Sequence, residues 1–103
     1  MITLLEEKRD ELTRLCARYH VRRLELFGSA ARDDFDPARS DLDFLVEFGD
    51  VPDGQLANCY FGLLFALEDL FQRSIDLVMT DAIKNPYFLA AIAASRTVLY
   101  AAA

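Results

Sequence analysis

The sequence is short of several patterns that mark well-known classes of protein. Among its 103 residues are only two cysteines, and neither has a CxxC or Cys/His spacing, which excludes a cysteine-based zinc motif and a disulfide framework. Cys16 and Cys59 fall in apolar helical patterns, so we interpret both as buried free thiols of a reducing compartment. No apolar run approaches the ~18 residues of a membrane span.

Basic residues are scarce where a nucleic acid would need them. The net charge is -6, and between Asp33 and Asp53 eight acids stand against one base, Arg39. Because nucleic-acid surfaces are usually basic, we predict no DNA or RNA partner. The N-terminal segment turns acidic at Glu6, too early for a signal peptide. We therefore expect a cytoplasmic protein without a membrane partner.

Apolar residues are plentiful enough for a core. The composition is 53% hydrophobic and 27% charged, which excludes an intrinsically disordered chain. No linker, repeat or low-complexity segment divides the sequence, and we expect a single domain over residues 1–103. Glycines number only four, so the position of each one carries information.

Hydrophobic periodicity predicts alternating helices and strands. The predicted helices cover residues 3–19, 55–71 and 85–95, and the predicted strands cover residues 24–27, 42–48, 75–79 and 97–100. The Asn85-Pro86 pair is a good start for the last helix, with asparagine as the N-cap and proline at the first helical position. We therefore predict an α/β (α+β) fold, a small mixed sheet of three to four strands flanked by helices.

Two aspartates open the second predicted strand. Since successive side chains of a strand alternate between faces, Asp41 and Asp43 point the same way, opposite to Leu42 and Phe44. Neighbouring carboxylates repel each other unless a cation lies between them. The preceding strand stops at Gly28-Ser29, where free backbone amides can hold phosphate oxygens. The guanidinium of Arg32 can add positive charge there.

The order of these elements predicts how the acids meet. Gly28 follows the first strand and Asp41 precedes the second, so those strands must be antiparallel for the two to come together. Asp76 lies near the start of the third strand, which must run parallel to the second, with the 55–71 helix as a right-handed crossover. Three carboxylates opposite a phosphate cradle suit Mg²⁺. Two ions would activate a hydroxyl and stabilise a leaving pyrophosphate, and Asp76 would either bind the ion nearer the attacking group or help to activate that group.

These residues together resemble a known family. Gly28-Ser29-x-x-Arg32 followed by Ser40-Asp41-x-Asp43 is similar to the signature of the DNA polymerase β-like nucleotidyltransferase superfamily, and Ile75-Asp76 matches the strand of its third acid. The nearest branch is the minimal nucleotidyltransferases, and the resemblance covers nearly the whole chain. It implies a Mg²⁺-dependent transferase that moves AMP from ATP onto a hydroxyl and releases pyrophosphate.

The resemblance also implies a role for each matching residue. The expected catalytic and metal-binding residues are Asp41, Asp43 and Asp76, and the expected nucleotide-binding residues are Gly28, Ser29, Arg32 and Ser40. Many members of this branch are paired with a helical HEPN-domain protein, commonly as the antitoxin of a toxin–antitoxin module. In some pairs the transferase adenylylates a tyrosine of the HEPN partner, so we expect a HEPN toxin as partner.

Other interpretations stay open. The family often has glycine after the arginine, and here Asp33 stands in that position, which favours a non-catalytic antitoxin that masks its partner. Transfer to a small molecule such as an aminoglycoside is a third alternative. Apolar residues of the 55–71 helix, with Tyr60 and Phe61, and of the Tyr87-Phe88-Leu89 segment are interpreted mainly as core, and any that remain exposed would be a candidate partner interface.

Overall fold

The computed structural model describes residues 3–28, 41–80, 85–93 and 96–102. In these residues the chain forms a four-stranded mixed sheet flanked by helices, which confirms the predicted fold class. The elements in chain order are α1 (Thr3–Glu7), α2 (Arg9–Arg18), β1 (Val21–Phe27), β2 (Leu42–Phe48), α3 (Leu56–Phe71), β3 (Ile75–Met79), α4 (Pro86–Ala93) and β4 (Thr97–Ala101).

The strand order is β3-β2-β1-β4. As predicted, β1 is antiparallel to β2, whereas β2 is parallel to β3. Helix α3 is the crossover that two parallel neighbours require. The final strand, β4, pairs antiparallel with β1 at the other edge of the sheet. This arrangement brings the C-terminal end of β1 beside the N-terminal ends of β2 and β3.

The main core lies between one face of the sheet and the helices α2 and α3. Alternate residues of β1 and β2 point into it, and the fully buried ones include Leu24, Leu26, Leu42, Phe44 and Val46. Leu63 and Leu67 of α3 cover them. A spacing of four residues places these two leucines on one face of the helix.

The opposite face of the sheet, which we call the acid face, carries Asp43 and Asp76 together with a small apolar cluster. Phe27 and Leu45 are buried in this cluster and Val78 packs against them. Helix α4 lies on this side, where Phe88 meets Phe27 edge to face with ring centroids 6.1 Å apart. The side-chain oxygen of Asn85 accepts a hydrogen bond of 2.9 Å from the backbone N–H of Tyr87, which confirms the predicted N-cap of α4.

Two predicted boundaries near the N-terminus were wrong. The single helix expected to about Tyr19 is divided into α1 and α2 at Lys8, whose backbone leaves the helical conformation (φ -101°, ψ 10°). The first strand begins at Val21 and not at Leu24, because Val21 is buried and pairs with Phe48. Consecutive arginines after Val21 hide the alternation of the strand in the sequence.

Both cysteines are free and buried, as predicted. Burial raises the pKa of the Cys16 thiol to about 12. Among the described residues, no helix is both long enough and apolar enough to cross a bilayer.

Candidate active site

The site is built on one row of residues that crosses three strands. Asp43 is the register partner of Phe27 on one side and of Asp76 on the other. Because register partners of neighbouring strands lie about 4.8 Å apart and share a face, the two carboxylates stand side by side on the acid face. The parallel direction of β2 and β3 therefore brings Asp43 and Asp76 together, as the sequence predicted.

Gly28 follows directly at the end of β1 and packs against the Asp43 carboxylate. Its φ is +74°, in the left-handed region that favours glycine. A Cβ built on Gly28 would overlap Oδ2 of Asp43 and would lie only 3.2 Å from its Cγ. Both the backbone angle and the close approach of the carboxylate thus require a residue without a side chain at this position.

Asp41 completes the set of acids and lies immediately before β2. Its neighbour Leu42 donates a backbone hydrogen bond of 3.3 Å to the carbonyl of Ser74, which ties the entry of β2 to the entry of β3. The side chains of Asp41 and Asp76 are exposed, whereas that of Asp43 is half-buried. All three acids therefore lie at the same end of the sheet and are accessible to a ligand.

These carboxylates suit a metal ion that is shared with a substrate. Within the described residues, no group of three acidic, histidine or cysteine side chains is close enough together to hold a metal by itself. Mg²⁺ is usually bound through one or two carboxylates while substrate phosphates and water supply its other ligands. Asp43 and Asp76, with Asp41 beside them, fit that incomplete kind of site, and Gly28 leaves room for the carboxylate of Asp43.

Several predicted site residues lie outside the described residues. They are Ser29, Arg32, Ser40 and the unusual Asp33. The predicted phosphate cradle is therefore represented in the structure by Gly28 alone, and the roles of the other four stay predictions.

Sequence reasoning missed an ionic cluster on the same face. Glu25 is only 3% exposed. Its two carboxylate oxygens accept hydrogen bonds from Arg23 Nε at 2.5 Å and Arg96 Nε at 2.6 Å. Burial raises the pKa of Glu25, but the hydrogen bonds and charges of the two guanidinium groups outweigh burial, so the net pKa is lowered.

This cluster fixes β4 against β1 near the site. Leu26 pairs with Thr97, so Arg96 precedes β4 next to the end of β1. The alternation of β1 already places Glu25 on the face of Phe27, opposite Leu24 and Leu26. That alternation was a usable signal for the position of Glu25, but nothing in the sequence indicated Arg96 as its partner.

Cavities lined wholly by described residues lie away from Asp41, Asp43 and Asp76. One of about 350 Å³ is lined by residues that include Val46, Phe48 and Met79, at the far end of β2 and β3. The three acids lie at the other, near end of these strands.

Comparison with known proteins defines the family. Residues 8–99 match the model of the nucleotidyltransferase domain. This match covers most of the sequence, so the chain belongs to the nucleotidyltransferase domain family.

Individual relatives narrow the comparison. A candidate protein adenylyltransferase of Methanocaldococcus jannaschii is 43% identical over 70 residues, which are 68% of this chain and 67% of that protein. The solved structure of a candidate minimal nucleotidyltransferase has a TM-score of 0.74 and 30% identity, and the match covers 93% of this chain and 95% of that one.

More distant structures share the fold. The Shewanella oneidensis complex of a tri-AMPylated HEPN toxin with its MNT antitoxin matches with a TM-score of 0.63 and 16% identity, over 94% of this chain and 72% of that one. A toxin–antitoxin structure with AMP-PNP has a TM-score of 0.67 and 18% identity, over 91% and 73% of the two chains. The mixed sheet of this chain is thus the nucleotidyltransferase fold, as the resemblance implied.

Proposed function

We propose that the protein transfers the adenylyl group of ATP to a hydroxyl group of a partner protein, and that the partner is a HEPN toxin for which it serves as antitoxin. The observation that carries the proposal is the pair of neighbouring carboxylates of Asp43 and Asp76 beside Gly28. We call this pair the acid row. Asp41 lies at the same end of the sheet. Carboxylates that a ligand can reach, beside a left-handed glycine, suit a nucleoside triphosphate that arrives with its metal.

The reaction is a single displacement at phosphorus. The oxygen of the acceptor hydroxyl forms a bond to the α-phosphorus of ATP, the bond from that phosphorus to the bridging oxygen of the β-phosphate breaks, and pyrophosphate leaves. A carboxylate of the acid row accepts the hydroxyl proton. Bound Mg²⁺, held by Asp41, Asp43 and Asp76, would supply positive charge for the triphosphate and lower the pKa of the hydroxyl.

Support for a protein acceptor comes from the relatives. The Methanocaldococcus jannaschii protein is named for protein adenylylation, and the Shewanella oneidensis complex joins an MNT antitoxin to an AMPylated HEPN toxin. ATP as the donor agrees with the AMP-PNP bound in the related toxin–antitoxin structure. These likenesses favour a HEPN acceptor over a small molecule.

Label transfer tests the proposal. The purified protein is incubated with Mg²⁺, α-labelled ATP and a candidate HEPN-domain protein from the source organism, and we expect the label on that protein. Asp41→Asn/Asp43→Asn should reduce transfer by about 10²-fold or more, since charge stabilisation in a transition state is commonly worth that much. Asp50→Asn/Asp53→Asn is the matched control, because these exposed acids lie beyond the far end of β2. Transfer that survives the first pair unchanged would contradict the mechanism.

A second candidate is neutralisation by masking. Asp33 favours it, because a carboxylate in the position where the family often has glycine would repel the triphosphate. In cells that express the HEPN protein, the Asp41→Asn/Asp43→Asn variant would then restore growth as well as the wild type does. Loss of that rescue, with the complex still formed, supports catalysis.

A further inference from the structure

Helix α4 combines an apolar sequence with unusual exposure. Residues 86–93 include no charged side chain, yet of the side chains described in α4 only that of Leu89 is half-buried and the others are exposed. Tyr87 is 85% exposed and Phe88 is 38% exposed. A helix on a protein surface normally turns polar residues outward. Exposed apolar surface of this kind marks a contact site for another molecule.

The exposed side of α4 adjoins the candidate active site. Phe88 packs edge to face on Phe27, which is the register partner of Asp43. Val98 of β4 is 42% exposed and pairs with Glu25, so it faces the same side of the sheet. We call Tyr87, Phe88, Ala90, Ala91 and Val98 the α4 surface.

We propose that the α4 surface docks the protein whose hydroxyl accepts the adenylyl group, and that this partner presents an apolar segment flanked by basic residues. The proposal rests on the proposed function, because a protein acceptor must bring its hydroxyl group to the carboxylates of the acid row. A partner seated on α4 lies next to Phe27 and therefore next to Asp43. Contact with α4 would thereby bring the acceptor hydroxyl close to the acid row and also contribute to the affinity for the partner.

Charge identifies the kind of partner. Asp41 and Asp76 are exposed at the edge of the same face, and the whole chain carries a net charge of -6. Arg23 and Arg96, which lie on this face, are engaged by the buried Glu25. A basic rim on the partner would complement the acids and accelerate encounter, and its effect would weaken with salt.

A second exposed aromatic pair provides the matched control. Phe61 and Phe65 of α3 are 51% and 63% exposed, with ring centroids 6.3 Å apart. They belong to the helix that covers the other face of the sheet, where Leu63 and Leu67 enter the main core. A protein bound there would be separated from Asp43 by the sheet itself.

The experiment compares Tyr87→Ser and Ala91→Asp with Phe65→Ser. With the same candidate HEPN-domain protein as probe, we expect each α4 variant to raise the KM for that protein at least tenfold. Affinity for a nonhydrolysable ATP analogue with Mg²⁺ should stay unchanged. Phe65→Ser should leave the KM within about twofold, and added NaCl should raise the KM of the wild type. Circular dichroism would reveal whether Tyr87→Ser unfolds α4. If it does, Ala91→Asp still tests the α4 surface.

The outcomes separate this inference from the proposed function. If the wild type transfers no AMP, the proposed function fails, while the Kd of the complex, measured by calorimetry, still tests the surface. An α4 variant that binds and modifies the probe like the wild type overturns the inference, as does a larger effect of Phe65→Ser. Sedimentation that shows a wild-type dimer and a Tyr87→Ser monomer would assign α4 to a second copy of the chain instead.

Discussion

At Gly28 the absence of a side chain serves both the backbone and the neighbouring carboxylate. We predict that Gly28→Ala destabilises the fold by about 1–2 kcal/mol, because a left-handed φ is unfavourable for alanine. It should also reduce AMP transfer by more than about 10²-fold, since the new methyl group displaces Asp43. Urea unfolding and label transfer measure the two effects.

Gly54 is the control for that substitution. Its φ of +78° is nearly the same, but a Cβ there meets nothing within 4 Å. Gly54→Ala should therefore lose similar stability and keep its activity. Equal loss of activity in both variants would show that backbone strain, and not displacement of the Asp43 carboxylate, explains the loss.

The lowered pKa of Glu25 predicts how the free energy of unfolding depends on pH. Its pKa is lowered in the folded protein, so its contribution is complete above the unfolded value near 4.5 and is lost as pH falls through the folded value. Glu25→Gln should cost about 1–3 kcal/mol at pH 7, as expected for hydrogen bonds to charged groups. Urea unfolding between pH 7 and pH 3 should show the gap between wild type and variant closing below pH 4.5.

Glu47 offers a matched comparison for Glu25. Its ion pair with Arg22 spans 3.4 Å and both side chains are substantially exposed. Surface pairs of this kind contribute little, so Glu47→Gln should change stability by less than about 1 kcal/mol at every pH. A gap between wild type and Glu25→Gln that stays constant down to pH 3 would contradict the role given to the buried carboxylate.

Among the elements, α4 depends most on its cap, because little of it is buried. We predict that Asn85→Ala lowers stability by about 1 kcal/mol through the lost hydrogen bond to the N–H of Tyr87. In Asn85→Ala, hydrogen exchange of the backbone amides should be faster than in the wild type for α4 and unchanged for α3. Asn85→Asp keeps an acceptor at the N-cap and should behave like the wild type. Slow exchange in the alanine variant would mean that packing, and not the cap, holds α4.

Elements with strong local signals were predicted closely from the sequence. Helix α3 and strands β2 and β3 begin and end within one residue of the prediction. For β2 and α3 the reason is a long apolar period and the Gly/Pro-containing segment 49–54 that separates them. The start of β1 was missed, since Arg22 and Arg23 conceal a strand whose pairing with β2 decides its length. Tertiary pairing, which no local pattern encodes, supplied those three residues.

For the whole molecule, the meeting of distant acids was predictable and their surroundings were not. Strand directions alone bring Asp43 beside Asp76, and the crossover length of α3 indicated those directions. The contact of Glu25 with Arg96 joins residues 71 positions apart. Such a contact requires the packed structure, as does the exposure of Tyr87, which the sequence left undecided.

The central claim is that the acid row holds a nucleotide through a divalent metal. The most direct measurement is a calorimetric titration with a nonhydrolysable ATP analogue, in Mg²⁺ and in EDTA, on the wild type, Asp43→Asn and Asp50→Asn. We predict binding to the wild type and Asp50→Asn only in Mg²⁺. Asp43→Asn should weaken binding at least tenfold, or about 1.4 kcal/mol. Equal affinity in EDTA, or full affinity in Asp43→Asn, would contradict the claim.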